Sequence, residues 1–205
     1  MKRLALAALL FAACALPAAG QEYYDVDVDL PQYPEMQPIP DSPVYWAPGV
    51  DSNYFFYDGL YWDYCCGDRW YASPWYNGPW QLVDPVYVPT YILWVPVDYY
   101  HHHHPFFRGT QHGHPPRWGQ HWGADWQQRH NAIYGGGRPA QPVRAPLPDY
   151  QRNYPRGNYP RNVNQQMVIH NQHYAFVPRE GVTRGHYQSS PAHSGESRGE
   201  GGHQK

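Results

Sequence analysis

The chain is poor in the residues that usually build a core and rich in those that can replace them. Leu, Ile, Val and Phe together make up 34 of 205 residues, whereas Tyr and Trp alone make up 29. That aliphatic share lies below ordinary globular usage. Each buried Tyr or Trp removes roughly 150–250 Å² from water, so a handful of rings can stand in for a Leu/Ile interior. The penalty is polar, because every Trp N–H and Tyr O–H taken inside needs a partner. Pro and Gly, at 23 and 19 residues, are also well above average. Together these features exclude a large α/β enzyme, a helical bundle and a multi-pass membrane protein. They point to a small, mainly β, aromatic-rich module with disordered flanks.

Residues 44–100 carry the strongest pattern. Asp58-Gly59, Gly67-Asp68 and Asn77-Gly78 recur at hairpin spacing and supply the positive φ that tight turns need. Between them lie short aromatic, β-prone runs: 53–57, 60–64, 69–73 and 80–83. Alternation puts Leu60, Trp62 and Tyr64 on one face, and Tyr61 and Asp63 on the other. The expectation is an antiparallel meander of a few strands, or an SH3-like partial barrel. After Val83, three prolines (Pro85, Pro89, Pro96) restrict the chain to an edge strand or extended wrapping, with Tyr91, Leu93, Val95 and Val97 alternating toward the core.

The flanks read differently. Residues 21–43 are acidic and proline-rich and read as a linker with at most one short strand at 25–29. Residues 101–115 are a His-rich loop. In 116–134, Trp118, Trp122 and Trp126 recur every four residues, one face of a short Trp-rich helix that Ile133 extends. Gly119 and Gly123 would let that helix approach another backbone closely. Residues 135–205 read as a basic low-complexity tail, with Asn-Tyr-Pro-Arg repeated at 153–156 and 158–161 and a short strand pair near 166–177.

Residues 1–20 have a basic start, a short apolar stretch and a small-residue end, the pattern of a secretory signal. Ala18 and Gly20 suit cleavage before Gln21, and the rival is a lipobox at Phe11–Cys14 that would lipidate Cys14. Export to the periplasm or outer membrane of a Gram-negative bacterium is the expectation, with membrane attachment only if Cys14 is lipidated. Charge is segregated behind the net of −2: residues 21–100 hold twelve acids against Arg69, and residues 101–205 hold five acids, eleven Arg, one Lys and all 13 His. Such a tail either folds over its own acidic module or meets an external anionic polymer.

The run YDGLYW…DRWYASPWYNGPWQLVDPVYVP, followed by PPRWGQHWGADWQQRH, resembles a family of small exported proteobacterial proteins labelled hypothetical proteins or lipoproteins. The resemblance covers about 44–132. It implies a signal peptide, an aromatic β module and a Trp-rich helix, and it implies no activity.

Three groups are candidate sites. Trp62, Trp70, Trp75, Tyr76 and Trp80 crowd around Asn77-Gly78-Pro79 and form either core or a ligand-facing platform. His101, His102, His103, His104, His112 and His114 are good imidazole ligands for Zn, Ni or Cu, held non-catalytically. Cys65 and Cys66 are adjacent and form either two free thiols or a strained vicinal disulfide. No nucleophile elbow, HExxH, P-loop or dinucleotide fingerprint is present, and a hydrolase set of Asp58, Asp63 and Asp68 has only turn-like surroundings to support it. The expected function is therefore non-enzymatic: a structural or binding adaptor of the envelope, meeting a protein or an anionic surface polymer and not nucleic acid. The alternative is a periplasmic metal-binding or buffering protein using the His loop.

Overall fold

The computed structural model describes residues 23, 24, 26, 28–137 and 144–188. The expected signal segment and the tail beyond 188 lie outside the described residues. The chain is mainly β. Seven strands form one open antiparallel sheet: β1 (Tyr23–Tyr24), β2 (Gln37–Pro38), β3 (Tyr45–Trp46), β4 (Tyr54–Tyr57), β5 (Leu60–Cys65), β6 (Arg69–Ser73) and β7 (Trp80–Val83). Their order is β1-β7-β6-β5-β4-β3-β2, a meander whose far edge is joined by the first strand. The expected linker at 21–43 thus supplies both edge strands.

Two of the three turns behave as their composition demands. Asp58 and Gly59 hold φ of 53° and 90°, the two-residue hairpin between β4 and β5. Cys66, Gly67 and Asp68 all have positive φ and join β5 to β6. Asn77-Gly78 is not a tight hairpin: residues 74–79 form a longer link from β6 to β7, with a cis bond at Gly78–Pro79.

Both faces of the sheet are covered, so the strands are buried almost throughout. On one face Phe55, Leu60, Trp62, Tyr64, Trp70 and Ala72 form a core with residues 86–100. That covering segment is not an edge strand. Its prolines start helical turns instead, a 3-10 turn at Pro85–Tyr87 and α1 at Thr90–Leu93, where a missing N–H goes unnoticed. The helix α2 (Trp118–Tyr134) docks on the same face, with Trp118 Nε1 donating to Leu93 O at 2.8 Å and Trp118 edge-on to Tyr64. Gly123 (φ 85°) breaks α2 at a kink, and open space surrounds it, so the glycine serves a bend and not a close approach. Past Trp126 the stripe runs on through buried His130, stacked on Trp126, and half-buried Tyr134, tilted against His130. Ile133 points away and is half exposed.

On the other face Tyr54, Phe56, Tyr61, Tyr71 and Trp80 pack with residues 26–36 and, unexpectedly, with the tail. Residues 144–188 are folded onto the sheet. Tyr154 and Tyr159, the tyrosines of the two Asn-Tyr-Pro-Arg repeats, stand edge-on to Trp75 at 5.5 and 5.7 Å. Gln151 Oε1 accepts from Tyr76 N, and Gln166 Nε2 donates to Gly78 O. The strand pair expected near 166–177 is instead helix α3 (Val163–His173). Asn162 caps it by accepting from Asn164 N and Gln165 N, and it buries Gln166, Met167 and His170, a helical spacing. A last helix, α4 (Gly181–Gln188), clasps the first hairpin: Asp58 accepts from Arg179 N and Glu180 N, and Tyr187 Oη donates to Gly59 O at 2.6 Å.

His170 lies buried against Tyr174 and Tyr187, with Tyr150 Oη hydrogen-bonded to its Nδ1. Burial pushes its imidazole down to about 4, and burial also holds His186 below the ordinary histidine value. A histidine depressed in the fold stabilises it above the unfolded value of about 6.5, and that stability is lost as pH falls toward the folded value. Urea unfolding should show His170→Gln losing less stability between pH 7 and pH 4 than the parent chain, by up to about 3 kcal/mol. Removing Gln166 by Gln166→Ala should lower stability by about 1–3 kcal/mol at neutral pH, since it takes away the donor to Pro160 O and leaves Gly78 O with Tyr159 Oη alone.

Candidate functional site

The five aromatic residues first considered as a platform are not on the surface. Trp62, Trp70, Trp75, Tyr76 and Trp80 are all buried, the last the most exposed at 2%. They are core, and the rings of the tail cover those nearest the surface.

The histidine and cysteine candidates meet at the turn between β5 and β6. Asn53 fastens the His loop to the sheet, donating from Nδ2 to His102 O and accepting at Oδ1 from His102 N. The loop then spreads its imidazoles over separate acids. His102 pairs with Asp51 at 3.1 Å, His112 pairs with Asp98, and Asp68 receives His121 and, at 3.8 Å, His104. His101 stacks on Trp46, His103 lies tilted against Phe107, and His114 Nδ1 turns back to His112 O. Among the described residues, no three His, Cys, Asp or Glu side chains stand together in a group able to hold a metal ion. Three of the six predicted ligands, His102, His104 and His112, are drawn to three different acids, and the other three lie against rings or backbone.

Beneath the loop lies a cleft of about 450 Å³ lined by Asp51, Ser52, Asp63, Cys65, Cys66 and His102. Asp63 is its unusual member. It is wholly buried, it accepts from Ser52 Oγ at Oδ1, and Oδ2 has no hydrogen-bond partner. Burial pushes its carboxyl up to about 6, against the opposing pull of Cys65, Ser52 and His102. Cys65, two residues along the same face, is half-buried, and both burial and the Asp63 carboxylate push its thiol far up. Cys66 is exposed, and both cysteines are free thiols. Sequence reasoning placed Asp63 on the right face but grouped it with Asp58 and Asp68. The three have separate surroundings: Asp58 holds tail backbone, and Asp68 holds two histidines.

A second concavity, about 700 Å³, opens at the other edge of the sheet. β1 pairs only with Gln81 and Trp80, so among the described residues Leu82 and Val83 have no strand partner on that side. Leu82, Tyr87 and Ile133, exposed by 40%, 52% and 49%, gather there beside Arg179 and Arg184 of the tail. Its acids are engaged: Asp84 Oδ1 accepts from Val86 N, and Glu180 Oε1 accepts from Tyr57 Oη. Neither arginine lies within ion-pair distance of an acid among the described residues. Only Ile133 had been singled out in the sequence, as part of a buried stripe. The groove takes residues from four separate stretches of chain, so no local pattern announces it.

An acid whose folded value is raised is stabilising only while protonated, and that contribution is lost as pH rises through about 6. Asp63→Asn should therefore raise stability above pH 6, by about 1–3 kcal/mol at pH 8, and change little at pH 4, as read from urea midpoints at the two values.

No family model, curated protein or solved structure matches this chain.

Proposed function

We propose that this is a non-enzymatic binding protein of the bacterial envelope, exported by its N-terminal segment, that seats an extended segment of a partner protein in the groove along β7. The carrying observation is the convergence of Leu82, Tyr87 and Ile133 beside the end of β7 that has no strand partner among the described residues. Clustered exposed apolar side chains favour an interaction surface, and an unpaired edge offers main-chain hydrogen bonds to an added strand. Arg179 and Arg184 at the groove favour a partner segment carrying a carboxylate beside its apolar residues. Export rests on the basic, apolar and small-residue order of 1–20. Among the described residues no helix is long and apolar enough to cross a membrane.

Two arginines of the tail are already engaged within the chain. Arg144 donates to Ser42 O and Ile39 O, and Arg156 pairs with Asp29 at 3.0 Å. These arginines hold the molecule together, so an anionic surface polymer would have to compete for them.

Photo-crosslinking in intact cells tests the reading. A benzophenone side chain at Leu82 or Ile133 should give a discrete adduct containing peptide, and the same probe at Val177, which is 80% exposed and outside the groove, should not. Leu82→Glu should weaken the adduct formed from position 133 at least about tenfold, the effect of some 1.4 kcal/mol. Equal labelling at all three positions, or adducts containing only glycan, would overturn the groove as a peptide site.

A further inference from the structure

We propose that Cys65 and Cys66 form a thiol–disulfide exchange site acting on accessible disulfides, with Asp63 taking the proton of Cys65. The site is lined by different residues from the β7 groove and stands apart from the binding role argued above.

Three placements carry the inference. Cys66 is exposed at the tip of the β5–β6 turn and opens onto the cleft, so an incoming disulfide reaches it first. Cys65 follows behind it at the cleft wall, half-buried and out of the path of a bulky reagent. Asp63 lies deeper on the same face of β5, wholly buried, with Oδ2 unpartnered. A carboxylate left inside with an unused oxygen is expensive to retain for structure alone. Placed beside Cys65 in the same cleft, it is the group positioned to accept that thiol's proton as the bond to Cys66 forms. The turn also has the freedom required. Cys66 lies outside the strand ladder, which ends at the Cys65–Arg69 pair, and its φ is 33°. Ring closure there can rearrange the turn without breaking strand pairing.

The exchange balances as follows. The Cys66 thiolate attacks one sulfur of R–S–S–R′, the S–S bond breaks, and R′–S⁻ leaves and takes a proton from solvent. A mixed disulfide Cys66–S–S–R remains. Cys65 then passes its proton to Asp63 and attacks the Cys66 sulfur. The Cys65–Cys66 bond forms, and R–S⁻ leaves and takes up that proton. The substrate disulfide gains two electrons and becomes two thiols, and the protein dithiol is oxidised. Neighbouring residues have Cα atoms about 3.8 Å apart, closer than ordinary disulfides span, so the ring is strained and easily reduced. That is the behaviour of a cycling bond and not of a structural one.

The test uses the full chain carrying Cys14→Ser, which leaves Cys65 and Cys66 as its only thiols, with oxidised glutathione in large excess and free of reduced glutathione, so that the strained ring is drawn closed, and intact mass read at timed acid quenches. The reduced chain should end lighter by two hydrogens, with no retained glutathione. Cys65→Ser should retain one glutathione on Cys66, and Cys66→Ser should react at least about tenfold more slowly. Asp63→Asn should acquire the adduct at the parent rate but close the ring at least about tenfold more slowly, the low end of a general-base effect. Ser52→Ala, which keeps the carboxylate and removes a hydrogen bond that holds its basicity down, should close at least as fast as the parent. Stable glutathione on either cysteine of the parent chain would overturn the exchange site. Asp63→Asn closing at the parent rate, or Ser52→Ala slowed as much as Asp63→Asn, would overturn the part given to Asp63.

Discussion

Tyrosine and tryptophan carry hydrogen-bonding atoms into the interior, and the backbone around the sheet meets several of them while others, Tyr64 Oη, Trp70 Nε1 and Trp80 Nε1 among them, stay without a partner. Tyr54 Oη donates to Tyr76 O, Tyr76 Oη to Tyr154 O, Tyr159 Oη to Gly78 O and Trp118 Nε1 to Leu93 O. The strands can supply few such acceptors, because most of their carbonyls are committed to the ladder; Tyr57 O, which takes Trp62 Nε1, is one. Irregular backbone can. The helical turns at 85–99 and the tail at 144–188 cover the rings and offer free carbonyls at the same time, which explains why so much of a mainly β protein is neither strand nor long helix.

The meander itself was legible. Hairpin dipeptides, aromatic runs and strict alternation placed Leu60, Trp62 and Tyr64 on one face and Tyr61 and Asp63 on the other, and the register agrees. What covers the meander was not legible, for two reasons. Proline in 85–96 was weighed as a strand breaker, whereas it starts helical turns there. The tail has the composition of a solvated segment because its apolar groups are tyrosines scattered at wide spacing. Tyr150, Tyr154 and Tyr159 acquire meaning only when Trp75 stands between them. In the same way the His loop and the cysteine turn, read separately, gave a metal reading and a redox reading, and what brings them together, the Asn53 clamp and the His104–Asp68 pair, joins residues far apart in the chain.

The segregation of charge along the chain resolves into contact. Acids from the first half meet bases and imidazoles from the second: Asp29 with Arg156, Asp51 with His102, Asp68 with His104 and His121, Asp98 with His112. Most of these pairs are partly solvated, so each adds little stability. Their combined effect is one of choice among arrangements, since two like-charged halves would not wrap. Asp58 and Asp63 are the exceptions, acids of the first half that the fold buries without a base, Asp58 against tail backbone N–H groups and Asp63 against the Ser52 hydroxyl.

The clasp on the first hairpin has a consequence for how the molecule is made. Asp58 must wait for Arg179 and Glu180, more than 120 residues later. Closing a loop of that length carries an entropic penalty before any contact repays it, and contacts so distant in sequence slow folding. A ribosome delivers β4 and β5 long before α4 emerges. Until then the hairpin presents a buried-type carboxylate, and Trp75 an uncovered ring, to whatever is nearby. The last stretch of the described chain therefore acts as a completion signal: the molecule is closed only when nearly all of it has arrived.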